Sequence, residues 1–427
     1  MRLIHTADWH LGQNFYQYDR VWEHELFLNW LSEVIREKKI DVLLISGDVF
    51  DTANPSAASQ KMYYAFLSQV TSENPNLQII ITAGNHDSAS RLEAPRELLE
   101  VMNISVRGSI PHNHTENLDL KELLVPFDKG GVCLTVPYLR MGDFPAGMAY
   151  AEGVAYVYSE LLTLAKNNIA CGNIKNGPIV ALGHLVASGA EFSSSSVEDG
   201  LGSERPIIGG VEGVSPEIFS EELNYTALGH LHKPQRVGGS ENIRYSGPPI
   251  PLSFAERNNK QGVVLVTFDE NSSSSSSSSS DISSYSEAIT NHIEFIDFQA
   301  PVKLLRIPES RPMPKEDVLK ELMKLPSAEI RQDSPYIEVN VLLREPDPQL
   351  KTDIESVLQG KAVRLTRIGT KTVGAENIQT RVVNSVEQLM EIEPMDIAID
   401  VFRKKYGGED MPEKMKTMLN EIIEEVK

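Results

Sequence analysis

Short apolar, β-branched runs alternate with amphipathic stretches over residues 1 to about 270. The runs are Arg2-Leu3-Ile4, Val42-Leu43-Leu44-Ile45, Ile79-Ile80-Ile81, Ile179-Val180-Ala181-Leu182 and Tyr225-Thr226-Ala227-Leu228. They read as strands of a layered α/β domain. Between the first two, Val21, Leu26, Phe27, Trp30, Leu31, Val34 and Ile35 recur at helical spacing and predict an amphipathic helix. Asn271 and the run Ser272 to Ser280 cannot bury apolar surface, so residues 271–293 are expected to be a serine-rich linker or loop. A small α/β unit follows over residues 294–376, with strand candidates at Val302 to Ile307 and Tyr336 to Val341, punctuated by Pro312, Pro326 and Pro346. The last segment, residues 377–427, is expected to be helical. It carries Met411, Met415, Met418, Leu419, Ile422 and Val426 on one face.

With 427 residues, 41% of them hydrophobic, the chain exceeds what one ordinary core organises. No stretch approaches the roughly 18 apolar residues of a membrane helix, and no basic and apolar leader precedes the first strand, so a soluble, cytoplasmic protein without a membrane role is expected. Cys133 and Cys171 are the only cysteines, which suits a reducing compartment and excludes a disulfide framework. The pattern GxxxxGK[ST] is absent, so this chain is not expected to bind ATP through a P-loop. A formal charge of −20 argues against a simple nucleic-acid binder. That objection weakens if carboxylates hold metal ions that supply the positive charge.

Each early run ends in a polar cluster. In order these are Asp8-x-His10, Gly47-Asp48-x-x-Asp51, Gly84-Asn85-His86-Asp87, Gly183-His184 and Gly229-His230-x-His232, and they hold five of the ten histidines. Ligands of open α/β sheets bind outside the carboxyl ends of the strands, so the clusters are expected to face one crevice. Asp-x-His at alternating strand positions points both side chains to one face. Carboxylate, imidazole and amide oxygen without thiolate suit Mn²⁺, with Fe²⁺ or Zn²⁺ as alternatives and Ca²⁺ disfavoured by so many histidines. Seven donors, Asp8, His10, Asp48, Asn85, His184, His230 and His232, exceed the needs of one ion, whereas two ions sharing Asp48 use them economically. Such a centre favours phosphoryl transfer, with a water activated for attack on phosphorus. His86, beside Asn85, is then left for the leaving oxygen as general acid or transition-state donor, its ring oriented by Asp51 or Asp87. The other histidines are read as structural: His5 in a strand, His24 on a helix surface, and His112, His114 and His292 in loops.

These clusters resemble the signature of the calcineurin-like metallophosphoesterases. More narrowly, HTADWHLGQ, GDVFDTANPS, GNHDSASRL, VPYLR, ALGHLHKPQ and YSGPPIPLSFAE are similar to the SbcD family of nuclease subunits, strongly over residues 1 to about 270 and in domain order and length beyond. The resemblance implies a two-sheet sandwich flanked by helices over residues 1–270, a capping domain over residues 294–376 that contacts DNA, and C-terminal helices that bind an SbcC-type ATPase. It implies a nuclease that uses two Mn²⁺ ions to cut double-stranded DNA ends and hairpins in repair and recombination, as a homodimer within a heterotetramer. One ion would take Asp8, His10, Asp48 and His232, the other Asp48, Asn85, His184 and His230, with His86 at the catalytic position. Some relatives carry histidine where this chain has Asp51, which leaves the partner of His86 open.

The end of the chain agrees with a protein partner, since residues 385–427 hold eleven acidic and six basic residues beside the Met-rich face. Lys233, Arg236, Lys303, Arg306, Arg364, Arg367 and Lys371 are candidates to line an approach for phosphates. Met62, Tyr63, Phe66 and Leu67 are candidates either for pairing subunits or for the core. Two other functions compete: a phosphodiesterase or phosphatase acting on a small-molecule or lipid phosphoester, and a non-enzymatic adaptor for the ATPase. The chain beyond residue 290 argues against the first, and His86, which binding alone does not require, against the second.

Overall fold

The computed structural model describes residues 1–111, 118–145, 147–191, 213–270 and 289–372, together with residues 395, 398, 399, 402, 411–413, 415, 416, 418 and 419. His112, His114, the serine run, Ile422 and Val426 lie outside the described residues.

Two six-stranded sheets stack face to face. In the first, β1 (Arg2–Thr6), β4 (Val42–Ser46), β5 (Gln78–Thr82) and β6 (Ile104–Arg107) are parallel, and β13 (Gln261–Glu270) and β14 (Ile289–Phe298) extend it antiparallel beyond β1. The second runs in the order β11 (Gln235–Val237), β12 (Ser240–Tyr245), β10 (Tyr225–Gly229), β9 (Ile179–His184), β8 (Val132–Thr135) and β7 (Leu124–Pro126). Strand period two explains the apolar runs. Leu3, Val42, Leu44 and Ile80 point inward against Val180, Leu182, Tyr225 and Ala227, while Ile4, Leu43, Ile45, Ile79 and Ile81 point outward under the helices. Both faces are covered, so β4 and β5 are buried at every residue and read as continuous apolar runs.

The outer face of the first sheet is covered by α1 (Val21–Lys38) and α2 (Ala57–Glu73), and short helices α3 (Ala89–Glu93) and α4 (Arg96–Glu100) precede β6. The second sheet is covered by α5 (Tyr150–Ala170), whose Val154, Val157, Tyr158 and Leu161 are buried. Tyr63, Phe66 and Leu67 are buried and Met62 partly buried in the core under α2, so they serve packing rather than an open pairing surface. His24 differs from the expectation of a helix-surface residue. It is fully buried on the same stripe as Phe27, Leu28 and Leu31, with Nε2 3.0 Å from the carbonyl of Trp9.

The expected boundary at 293/294 falls inside a strand, because β14 pairs with β13 over its whole length, from Ile289↔Glu270 to Phe298↔Gln261. His292 is therefore a strand residue rather than a loop residue. A second, smaller unit follows β14. Its sheet holds β15 (Leu304–Ile307), β16 (Met313–Pro314), β17 (Tyr336–Leu343) and β18 (Arg364–Thr372), each parallel to β17, with α6 (Lys315–Met323) and α7 (Leu350–Leu358) enclosing its own core. It meets the larger unit through Phe15, Phe254, Val302, Leu304 and Tyr336, where Phe15 and Tyr18 belong to the hairpin β2 (Asn14–Phe15) and β3 (Tyr18–Asp19).

Candidate active site

All five polar clusters lie at carboxyl ends of strands: β1, β4 and β5 from the first sheet, β9 and β10 from the second. Because the sheets face each other, these ends converge at one edge of the sandwich. The amide of Asp8 donates to the Gly47 carbonyl at 3.1 Å and that of His10 to the Asp48 carbonyl at 3.0 Å, while the amide of His230 donates to Asp8 Oδ1 at 2.9 Å and bridges the two sheets. Two of the motif glycines are required by crowding. A Cβ on Gly84 would collide with the carboxylate and backbone of Asp48, and one on Gly229 with the Ser46 carbonyl. The backbone is also strained here, since Asp8, His10, Asp48 and His230 have φ of 55°, 45°, 49° and 98°. Left-handed conformations at non-glycine residues cost energy and persist only where the surroundings impose them.

The side chains converge as closely as the backbone. Asn85 Oδ1 lies 3.0 Å from His184 Nε2 and 2.9 Å from His230 Nδ1, and Asp48 Oδ2 lies 3.3 Å from His184 Nε2 and 3.6 Å from His10 Nε2. Among the described residues, three overlapping groups have atoms close enough to hold a cation: Asp8, His10 and His232; His10, Asp48 and His86; Asp48, His184 and His230. Buried Asp8 Oδ2 and His10 Nε2 have no hydrogen-bond partner among the described residues. Burying such atoms unpaired is costly, and a divalent ion is the partner that relieves both a carboxylate and an imidazole lone pair. The donor set contains no thiolate, which fits a hard or borderline ion.

Electrostatics point the same way. Burial disfavours the charged ring of His184, but the carboxylates of Asp48 and Asp8 and the Ser46 carbonyl together outweigh it and hold the pKa up at about 9. Burial likewise opposes charge on Asp48, yet His184 and the adjoining histidines keep it well below the usual carboxylate range. Burial raises the pKa of Asp8. A proton on His184 thus occupies the charge position that a cation would take, and metal binding would expel it.

His86 sits beside this group, its amide donating to Asp48 Oδ1 at 2.9 Å. Its Nδ1 lies 2.9 Å from the backbone carbonyl of Asp51, which only accepts, so the hydrogen is on Nδ1. The structure places neither expected carboxylate on this ring. Asp51 turns its side chain to His10 Nδ1 at 3.2 Å. Asp87 accepts from the amides of Gly84, Phe50 and Val49 at 2.9, 2.9 and 3.1 Å, and so clamps the loop after β5 to the loop after β4. Burial and the charge of Asp48 push its pKa up to about 6 against those three donors. Glu256 is a residue that the motifs do not point to: buried, it lies 3.2 Å from His232 Nδ1. The only signal for it is the stretch YSGPPIPLSFAE, which carries no metal-ligand pattern of its own.

Several of the candidate phosphate contacts have partners within the protein. Arg306 and Arg367 both pair with buried Glu338, at 2.5 and 3.6 Å, and Arg364 stacks 3.8 Å over the Tyr336 ring. Lys233 pairs with Glu191, and Arg236 with Glu241.

Comparison with known proteins gives the class. The calcineurin-like phosphoesterase model matches residues 1–234, and that of the type 5 capsule protein repressor C-terminal domain matches residues 300–406. The SbcD component of the SbcCD nuclease from Rhodobacter capsulatus is 34% identical over 379 residues, covering 86% of this chain and 86% of that protein. Its counterparts from Escherichia coli K12 and Bacillus subtilis 168 are 34% and 30% identical over 277 residues, covering 63% and 62% of this chain and 65% and 66% of theirs. The chain belongs to the calcineurin-like phosphoesterases, whose catalytic domain takes divalent metal ions. Within that class it is a member of the SbcD family. Among the described residues, no helix is long and apolar enough to cross a membrane.

Proposed function

We propose that the chain is a metal-dependent DNA nuclease, the catalytic component of an SbcCD-type complex acting in DNA repair and recombination in the cytoplasm. One observation carries this reading above the others: side chains from five strand ends meet, and two of their buried atoms have no hydrogen-bond partner among the described residues. Two Mn²⁺ ions fit that arrangement, one held by Asp8, His10, Asp48 and His232, the other by Asp48, Asn85, His184 and His230. When bound, the ions would polarise the phosphoryl oxygens and lower the pKa of the attacking water. The chain's own residues do the remainder. The backbone carbonyl of Asp51 holds the Nδ1 hydrogen of His86, so that when both ring nitrogens carry hydrogen it is Nε2 that donates to the leaving oxygen, and Asp87 holds the two loops in register.

DNA with double-stranded ends or hairpins is the substrate, and an SbcC-type ATPase the partner, within a heterotetramer built on a homodimer. Met415 and Met418 are 48% and 56% exposed, which suits contact of the C-terminal segment with that partner. The capping unit and the end of the chain are larger than hydrolysis of a small ester requires. The test incubates the full chain with Mn²⁺ and either linear duplex DNA or a chromogenic phosphodiester. Cleavage of duplex DNA, lost in His86→Ala while metal binding persists, is expected. Cleavage of the small ester alone would overturn the reading.

A further inference from the structure

We infer that Glu256 is a positioning residue that fixes the ring of His232 and ties the metal centre to the seating of the capping unit; this deepens the two-ion reading and rests on it. Glu256 is 2% exposed and divides its oxygens. Oε1 faces His232 Nδ1 at 3.2 Å and accepts from Ser253 Oγ at 2.8 Å, while Oε2 accepts from the Leu252 amide at 2.8 Å. A carboxylate acceptor at Nδ1 places the ring hydrogen there and leaves Nε2 as the lone-pair atom within the group formed with Asp8 and His10. His184 and His86 are set instead by the carbonyls of Ser46 and Asp51, which belong to the loops and strands of the site itself.

Glu256 differs because its turn, Phe254–Glu256, reaches the boundary between the two units. Phe254 lies 5.3 Å from the Phe15 ring, and Phe15 lies 4.9 Å from the Tyr336 ring. The chain entering the turn is held by its carbonyls, Pro251 accepting from Arg20 at 2.5 Å and Leu252 from Gln13 at 3.3 Å. Arg20 is gripped by Glu23 at 3.0 and 2.5 Å, and Glu23 accepts the hydroxyl of Tyr336, the first residue of β17, at 3.0 Å. An unbroken series of hydrogen bonds therefore joins β17 to Glu23, Arg20, the Pro251 to Glu256 turn and His232. Moving β17 away from the hairpin breaks the Tyr336 bond or displaces Arg20, and with it the turn that carries Glu256.

Calorimetric titration with MnCl₂ and electron paramagnetic resonance of the bound ions test this on the full chain. Glu256→Ala is expected to weaken one of two Mn²⁺ ions by about 10- to 100-fold and leave the other in place, as loss of an orienting partner does elsewhere. Glu256→Gln, whose amide oxygen still accepts the Nδ1 hydrogen, restores most of that affinity. Ser253→Ala, which removes a different contact of the same carboxylate, leaves both ions as in the wild type. Tyr336→Phe weakens the same ion as Glu256→Ala by a few-fold. Wild-type affinity for both ions in Glu256→Ala overturns the positioning role, and an unaltered Tyr336→Phe overturns the tie to the capping unit. Should Glu256→Ala fail to fold, the ¹⁵N resonances of His232 in metal-free wild-type protein decide: hydrogen on Nδ1 supports the proposal and hydrogen on Nε2 alone overturns it. A wild-type chain that binds fewer than two ions overturns the two-ion reading itself, whereas two ions with an unaffected Glu256→Ala overturn only this inference.

Discussion

At the junction of the two units, Arg20 is 1% exposed and spends its hydrogens on Glu23, Gln13 and the Pro251 carbonyl. Across the strand ends, Asp8 and His10 are equally buried, yet Asp8 Oδ2 and His10 Nε2 have no hydrogen-bond partner among the described residues. The first cluster is complete within the protein: Glu23 neutralises the guanidinium, Tyr336 completes Glu23, and the rings of Phe15 and Tyr336 flank Arg20 at 5.1 and 5.8 Å. In the second, the described residues leave two buried polar atoms without a hydrogen-bond partner. Its four left-handed residues show that the backbone is strained where the donors gather. Buried charge thus has two uses in one molecule, and satisfaction of the polar atoms separates them. The junction is architecture, and the strand-end cluster is a site.

Substitutions sharpen that contrast, beginning with the largest effect. Asp48→Asn removes the charge shared by two of the candidate cation groups. It should weaken both ions by well over the roughly 10- to 100-fold that loss of a mere orienting partner costs, with duplex cleavage abolished. Manganese titration and a nuclease assay read both effects. His86→Ala should leave both ions bound and reduce cleavage by about 10²- to 10⁴-fold, the usual contribution of proton transfer. A variant that cuts DNA at the normal rate would remove His86 from the chemistry. Glu23→Ala strands the guanidinium of Arg20 in the junction and should cost about 3–5 kcal/mol in urea unfolding, because a buried charge is left unpaired. Asp8→Asn should do the reverse in metal-free protein. It removes a buried carboxylate whose charge burial disfavours, so stability rises by about 0.5–2 kcal/mol in the same assay while metal binding is lost. If Asp8→Asn destabilises the metal-free protein as Glu23→Ala does, the contrast between the two clusters fails.

Much of the fold can be read from the chain because its physics is local. A strand covered on both faces is apolar through its middle, and the loop after it carries the ligands, so runs such as Val42 to Ile45 announce both β4 and the cluster that follows. Other features depend on what the sequence does not show. His24 reads as exposed because it is polar, although its spacing from Phe27 and Leu31 puts it on the core stripe, where the Trp9 carbonyl receives it. Ile289–Phe298 alternates half-buried and exposed positions and follows a serine-rich stretch, so nothing local ties it to β13 on the far side of that stretch. The orientation of His86 rests on the carbonyl of Asp51 rather than its carboxylate, a choice that residue identity cannot express. Glu256 lies 24 residues beyond His232 and meets it only through the folded turn.

The central claim is that these strand ends hold a pair of cations over the scissile ester. Anomalous scattering from crystals of the full chain soaked in Mn²⁺ tests it most directly. Two peaks roughly 3.5 to 4 Å apart, with Asp48 between them, are predicted. A single peak, or none among Asp8, Asp48, His184 and His230, would contradict the account.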